Sequence, residues 1–89
     1  MTSKELKGMI LNNKIEEAMQ EIVKIIPDLD HDMTMRIDIV VSQVKELEKN
    51  RFFGTISSEN IDIQRNRVVT QSLTILNDLK KKGRLDQVQ

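Results

Sequence analysis

The chain has 89 residues, 14 of them basic and 14 acidic, which is the size of one small domain without net charge. This balance provides no electrostatic surface for nucleic acid or for an anionic membrane, so we expect neither as a partner. Cysteine is absent, which excludes disulfides and thiolate chemistry and favours a reducing compartment. The first residues lack a signal-peptide pattern and no stretch approaches the ~20 apolar residues of a membrane span, so we predict a cytoplasmic protein.

The predicted fold class is all-α, with four helices. Only two residues are aromatic, and three glycines and one proline leave little material for a fold of strands and tight turns. The core must therefore be built from isoleucine, leucine, valine and methionine, which is typical of helical bundles.

A short helical hairpin is predicted at the N-terminus, over about residues 3–11 and 14–26. Thr2 and Glu5 have the spacing of a capping box, in which two residues satisfy each other's free backbone N–H groups. The break between the two helices falls at a pair of asparagines, a residue type that tolerates left-handed backbone and also caps helices. The second of them, Asn13, is followed by a glutamate at the same spacing and is therefore predicted to cap the second helix.

The second helix is predicted to be wedged between other helices. Its apolar residues fill an arc of ~160° on a helical wheel, which is wide enough to contact two neighbours. They are Ile15, Ala18, Met19, Ile22, Val23, Ile25 and Ile26. Pro27 ends this helix, because proline disfavours helical geometry in the residue before it.

Three aspartates then follow at the first, third and fifth positions of a possible calcium loop, namely Asp28, Asp30 and Asp32. A calcium loop also needs a glycine at the sixth position and a bidentate glutamate at the twelfth, but Met33 and Ile39 stand there. We interpret the segment as a linker with spare helix caps, and we expect no metal and no other cofactor.

The main predicted element is a long antiparallel hairpin of two helices, over about residues 32–53 and 58–82, with the N-terminal hairpin packed on it. The first long helix has a main apolar stripe made of Met33, Ile37, Val40, Val41, Val44 and Leu47. The second has an apolar arc made of Ile61, Val68, Val69, Leu73, Ile75, Leu76 and Leu79. The domain is predicted to cover residues 1–83, with residues 84–89 as a tail or a linker to a missing C-terminal module.

The turn of the long hairpin carries three local signals. Gly54 can take the left-handed conformation that ends a helix without a Cβ penalty. Ser57 is placed to cap the next helix, and Ile56 with Ile61 has the spacing of a hydrophobic staple. These residues are predicted to fix the hairpin.

Asn66 and Arg67 lie near the middle of the last helix and have three open interpretations. In the first, they are solvated or snorkelling side chains. In the second, they bond back to the turn or to a helix terminus and so fix the hairpin. In the third, they contact a partner directly. Ser72 falls within the apolar arc of the same helix, as a single tolerated hydroxyl.

Four apolar residues fall outside the main stripes, namely Met35, Ile39, Phe53 and Ile63. Single exposed aliphatic residues carry no meaning by themselves, but four of them, two flanking the hairpin turn, are enough for a patch. Two interpretations stay open. Either the N-terminal hairpin covers these residues, or they form an intermolecular surface. We take them as the candidate interface residues.

The catalytic inventory is almost empty, so no catalytic or cofactor-binding residue is predicted. His31 is the only histidine, and the chain has no cysteine, no tyrosine and no phosphate-cradling glycine loop. Glu16 and Glu17 cannot flank one substrate, because adjacent helix positions diverge by ~100°. The lysine run at positions 80–82 suits the negative end of the helix dipole, with an acidic partner as the alternative.

A recognisable pattern covers most of the chain. It consists of Leu47, Arg51, Gly54-Thr55-Ile56-Ser57, Glu59, Asn66-Arg67-Val68 and the series Leu73, Leu76 and Leu79, with Lys14-Ile15-Glu16-Glu17-Ala18 upstream. Over roughly residues 6–79 the chain thereby resembles the effector-associated domains, small helical domains of bacterial conflict and immune systems. It departs from their pattern at Asn13, Val44 and Asn60, where glycine, tyrosine and an acidic residue are common.

The resemblance implies a non-enzymatic adaptor that brings effectors, such as proteases or TIR-type nucleotide hydrolases, to sensors through like-with-like contacts. It also implies that the chain is the N-terminal domain of a longer protein. We therefore predict a homo-oligomer, or a complex with a matching helical domain. The rival hypothesis is a monomeric regulatory module that binds a non-homologous protein or peptide.

Overall fold

The computed structural model describes residues 2–54 and 58–85, and these residues form four α-helices and no strand. The helices are α1 (Ser3–Leu11), α2 (Ile15–Ile25), α3 (His31–Phe53) and α4 (Ser58–Lys81). The predicted all-α class is confirmed, and each predicted helix boundary lies within one residue of the observed boundary.

The long helices α3 and α4 form the antiparallel hairpin, while α1 packs against α4 and α2, and α2 packs equally against α1 and α3. An ion pair of 2.9 Å between Arg36 Nη2 and Asp78 Oδ2 joins the start of α3 to the end of α4. A second ion pair, of 3.6 Å between Lys45 Nζ and Glu16 Oε1, joins α3 to α2. The result is an elongated bundle of 44 × 24 × 17 Å.

Two of the helices begin at side-chain caps. Thr2 Oγ1 accepts a hydrogen bond of 3.2 Å from the Glu5 N–H, and the Thr2 N–H donates one of 3.4 Å to Glu5 Oε1. This confirms the predicted capping box of α1. Asp30 caps α3, because its Oδ1 accepts a hydrogen bond of 2.8 Å from the Met33 N–H. Both caps satisfy N–H groups that a helix start leaves without partners.

The break between α1 and α2 corrects one prediction. Asn13 has a φ of 67°, so it takes the left-handed conformation, and the next N–H, of Lys14, donates to the Met9 carbonyl at 2.8 Å. This geometry ends α1, and the residue at the cap position of α2 is Lys14, which makes no side-chain cap bond. The tolerance of asparagine for left-handed backbone was predicted correctly, whereas its capping of α2 was wrong.

Gly54 ends α3 in the predicted left-handed conformation, with a φ of 63°. Its N–H donates to the carbonyls of Asn50 and Arg51, which the end of α3 would otherwise leave without hydrogen-bond donors. The other predicted turn features, the cap at Ser57 and the staple residue Ile56, lie outside the described residues.

A second left-handed glycine ends α4 and extends the packed domain. Gly83 has a φ of 71°, and the Arg84 N–H donates to the Leu79 carbonyl at 2.9 Å. This reversal returns the chain to the bundle, so that Leu85 is buried with 4% of its surface exposed. Leu85 lies in the segment predicted as a tail. A hydrophobic contact just after a helix end with a left-handed glycine is common.

The core is aliphatic, as predicted, and combines residues of all four helices. The main stripe of α3 is confirmed for Met33, Ile37, Val40 and Val44, which are buried. On α2, however, Val23 and Ile25 are exposed, because the two edges of its wide apolar arc extend beyond its neighbours. Ser72 is fully buried and its hydroxyl donates to the Val68 carbonyl at 2.8 Å, which satisfies it within the helix.

Burial divides the molecule into two regions. We call residues 2–44 and 68–85 the base, and residues 45–54 with 58–67 the tip. Every buried residue in the described chain belongs to the base. In the tip the most enclosed side chains are only half-buried; they are Leu47, Asn50, Ile61 and Arg65. The tip is therefore a projecting pair of helix ends with little core of its own.

Candidate interaction surface

One face of the long hairpin carries two shallow cavities that no residue of α1 or α2 lines. The larger, of about 270 Å³, is lined by Arg36, Ile39, Val40, Thr70, Gln71, Thr74 and Ile75. The smaller, of about 160 Å³, is lined by Gln43, Glu46, Gln64, Arg67 and Val68. We call this surface of α3 and α4 the open face.

Two of the candidate interface residues lie beside each other on α3. Met35 and Ile39 are one helical turn apart, about half of each side chain is exposed, and Ile39 lines the larger cavity. The interpretation that the N-terminal hairpin covers these residues is therefore wrong. Their apolar surface is left to solvent on the open face.

The other two candidate interface residues, Phe53 and Ile63, lie in the tip and are also exposed. Phe53 is 14 residues along α3 from Ile39, which is ~21 Å at the rise of an α-helix. Phe53 is therefore too far from Met35 and Ile39 to share one small patch with them.

The sequence analysis missed one aromatic residue of the tip. Phe52 is the most exposed large apolar side chain of the described residues, with 84% of its surface exposed. Its ring meets the ring of Phe53 edge to face, with centroids 5.1 Å apart and planes at 90°. Its position outside every apolar stripe of α3 was the signal that could have identified it.

The open face also holds two buried polar atoms with unsatisfied hydrogen-bonding capacity. Gln43 Oε1 and Gln71 Oε1 are buried and have no hydrogen-bond partner within residues 2–54 and 58–85. A buried acceptor without a donor costs free energy, and because these oxygens have almost no exposed surface, a donor reaches them only if the glutamine side chain turns outward.

Asn66 and Arg67 do not fix the hairpin through any bond that the described residues show. Both side chains are exposed, and Arg67 lines the smaller cavity of the open face. The Asn66 carbonyl accepts a hydrogen bond of 2.9 Å from the Thr70 hydroxyl, which is a bond within α4. A role in partner contact stays a prediction.

Two of the three aspartates predicted as linker residues, Asp28 and Asp30, have structural contacts. Asp30 Oδ2 lies 3.7 Å from Lys82 Nζ while its Oδ1 caps α3, and Asp28 pairs with Arg84. The Met33 N–H bond, helped by the Lys82 charge, holds the pKa of Asp30 below its usual value. In the described ranges no three histidine, cysteine or acidic residues are grouped as they would be to hold a metal ion.

None of the helices in the described ranges combines the length and the apolar character that crossing a membrane requires.

Comparisons with known proteins identify the family. Curated proteins and solved structures gave no match. The sequence model of Effector-associated domain 11, however, matches residues 1–80, which is nearly the whole chain. The chain therefore belongs to the Effector-associated domain 11 family.

Proposed function

We propose that this domain is a non-enzymatic adaptor that links an effector to its sensor or partner in a bacterial defence system. It acts by associating with a second copy of itself or with a matching helical domain. Membership of an effector-associated family over residues 1–80 supports the adaptor role. The proposal needs no cofactor and no metal.

The observation that carries the proposal is the apolar surface of the open face. Met35 and Ile39 stand half-exposed beside a cavity whose lining includes the buried residues Val40 and Ile75. Burying such surface gains ~25 cal/mol for each Å² removed from water, and a helix of a second molecule has the shape to do so.

The proposal of a non-enzymatic role is supported by what the acidic side chains already do. Glu5 completes the capping box of α1, Asp30 caps α3 and Asp78 pairs with Arg36. A general acid or base must be free to exchange a proton with a substrate, whereas these carboxylates hold the fold together.

The test compares two substitutions that differ in location and not in exposure. Ile39 on the open face is 50% exposed, and Val23 on α2 is 48% exposed. Ile39→Asp places a charge in the proposed interface and should raise the dissociation constant of self-association by ~10-fold or more. Val23→Asp adds the same charge elsewhere and should leave association within about twofold of wild type. Sedimentation equilibrium measures both, and circular dichroism checks that both variants keep their helical signal.

The tip is tested in the same way, through Phe53→Asp and Ile63→Asp. Each should weaken association while leaving the helical signal intact if the tip takes part in the interface. If Ile39→Asp, Phe53→Asp and Ile63→Asp all associate like wild type, the candidate interface residues are not the interface. A chain that stays monomeric at high concentration would instead favour a module for a non-homologous protein or peptide.

A further inference from the structure

A third surface, between α1 and α4, is a groove with an apolar floor and a basic rim. Its volume is about 400 Å³. Leu73 and Leu76 supply apolar surface, whereas Lys4, Lys7 and Lys80 line it with exposed side chains. We call this surface the basic groove.

The three lysines of the basic groove have no ion pair within residues 2–54 and 58–85. The acidic residues nearest to them in sequence are engaged elsewhere, since Glu5 completes the capping box and Asp78 pairs with Arg36. Their charge is therefore available to an acidic surface of another molecule.

An acidic and apolar surface with the complementary composition lies on the same chain. On α3, Met35 and Ile39 share one side of the helix with Asp32, Asp38 and Glu46, all of them exposed. We call these five residues the acidic stripe. In the described ranges its three carboxylates make no ion pair, and they stand at the margins of the apolar pair.

Two of the cations that adjoin the acidic stripe are already paired, Arg36 in an ion pair of 2.9 Å and Lys45 in one of 3.6 Å. Lys49 and Arg67, which lie beside Glu46, make no ion pair within residues 2–54 and 58–85. The negative charge of the stripe is therefore least compensated at the end nearest the start of α3, although the whole chain has as many basic as acidic residues.

We propose that the basic groove of one copy binds the acidic stripe of a second copy. The inference rests on the proposed self-association and names its two surfaces. Ile39 and Met35 contact Leu73 and Leu76 at the centre, while Asp38 and Glu46 face the lysines at the rim. An apolar centre with a charged rim is the usual anatomy of a specific interface, and the opposite charges fix its register.

Because the two surfaces differ, the interface is heterologous. Each copy that uses its groove keeps its acidic stripe free for another copy. Assembly then continues into a ring or an open chain, unless two copies bring both groove–stripe pairs together about a two-fold axis.

The test uses two variants, each with one surface disabled. The groove variant carries Lys7→Glu and Lys80→Glu, and the stripe variant carries Asp38→Asn, Ile39→Asn and Glu46→Gln. Alone, each should associate at least ~10-fold more weakly than wild type, because one member of the pair is missing. Mixed, they should form a 1:1 complex that grows no further, since the intact stripe of the groove variant fits the intact groove of the stripe variant.

A matched control reverses two lysines outside the groove, with Lys14→Glu and Lys24→Glu on and beside α2, and should associate like wild type. Sedimentation velocity measures the mass of each species, and circular dichroism verifies folding. A groove variant that associates like wild type overturns this inference and leaves the proposed function standing. Two variants that each fail alone and also fail when mixed overturn it as well, because a single self-complementary patch gives that result. A wild-type chain that stays monomeric overturns the self-association in the proposed function, and this inference with it.

Discussion

The base and the tip of the bundle are made from the same two long helices but are stabilised differently. In the base, α1 and α2 cover α3 and α4, and the stripe from Met33 to Val44 is buried. In the tip the same helix pair continues alone, and the best-enclosed residues, such as Leu47 and Ile61, are only half-buried. A helix pair without a third layer has one side to bury, so the stability of this domain must come from the base.

The comparison also shows where exposed apolar residues are tolerated. Phe52 and Phe53 stand at the end of α3, where little surrounding structure limits their exposure. Met35 and Ile39 stand beside a well-packed core and are exposed nonetheless, which is why we assign them to an interface that the base presents rigidly. A rigid surface loses less conformational entropy on binding than a mobile one.

The largest expected difference between the regions is in the cost of removing a side chain. Ile75 in the base has 1% of its surface exposed, so Ile75→Ala should lower the free energy of unfolding by ~2–5 kcal/mol. Ile61→Ala in the tip should cost about 1 kcal/mol, because a half-buried side chain loses less apolar contact and leaves no closed cavity. Urea unfolding measures both, and equal costs would contradict the division into base and tip.

Hydrogen exchange sharpens the same comparison without mutation. Amides of α3 and α4 in the base should be protected ~100-fold more strongly than those of the tip, because the tip can open locally while the base stays folded. Exchange followed by NMR at several pH values resolves the individual amides. Uniform protection along both helices would mean that the hairpin opens only as a whole.

A smaller effect is expected at the left-handed end of α3. Gly54 has a φ of 63°, so Gly54→Ala should lower the free energy of unfolding by about 1 kcal/mol, because the alanine Cβ would lie too close to the following carbonyl oxygen. Gly54→Asn should cost less, because asparagine tolerates this conformation and adopts it in this chain at position 13. Thermal unfolding of the two variants tests this explanation. Equal losses of stability would show that the left-handed conformation of residue 54 is not the cause.

The smallest predicted effect is a pH dependence in the base. The folded pKa of Asp30 lies below its usual value of 3.8, so its ionised form favours the folded state. That stabilisation is fully present above the unfolded pKa and is lost as the pH falls through the folded pKa. Asp30→Asn keeps a capping residue but cannot titrate, so its stability should fall less than that of wild type between about pH 6 and pH 3. An unchanged pH dependence in urea unfolding would remove Asp30 as a cause.

Local rules predicted most of the fold. The capping box at Thr2, the proline after α2 and the left-handed Gly54 each act within a few residues, and the helix boundaries that follow from them are correct. The stripe on α3 was predictable because a long helix in a small bundle must bury one side. The family resemblance read from the second half of the chain was also correct.

What the sequence did not predict depends on where the helices lie relative to one another. Leu85 looked like part of a tail, because nothing in the local pattern shows that the turn at Gly83 returns the chain to the core. Lys80 was interpreted through the dipole of its own helix, and only the packing of α1 against α4 brings Lys4 and Lys7 beside it. Val23 is likewise exposed because the helices beside α2 do not cover that edge of its apolar arc, which the pattern of α2 alone does not show.

The central claim is that this chain works by associating with copies of itself, the first of the two proposed modes of association. Sedimentation equilibrium of the wild-type domain from ~10 μM to ~1 mM, a range that covers moderate to weak association, tests it most directly. The account predicts that the average mass rises steadily above the 10.3 kDa of one chain as the concentration increases. A mass that stays at 10.3 kDa over the whole range would contradict it.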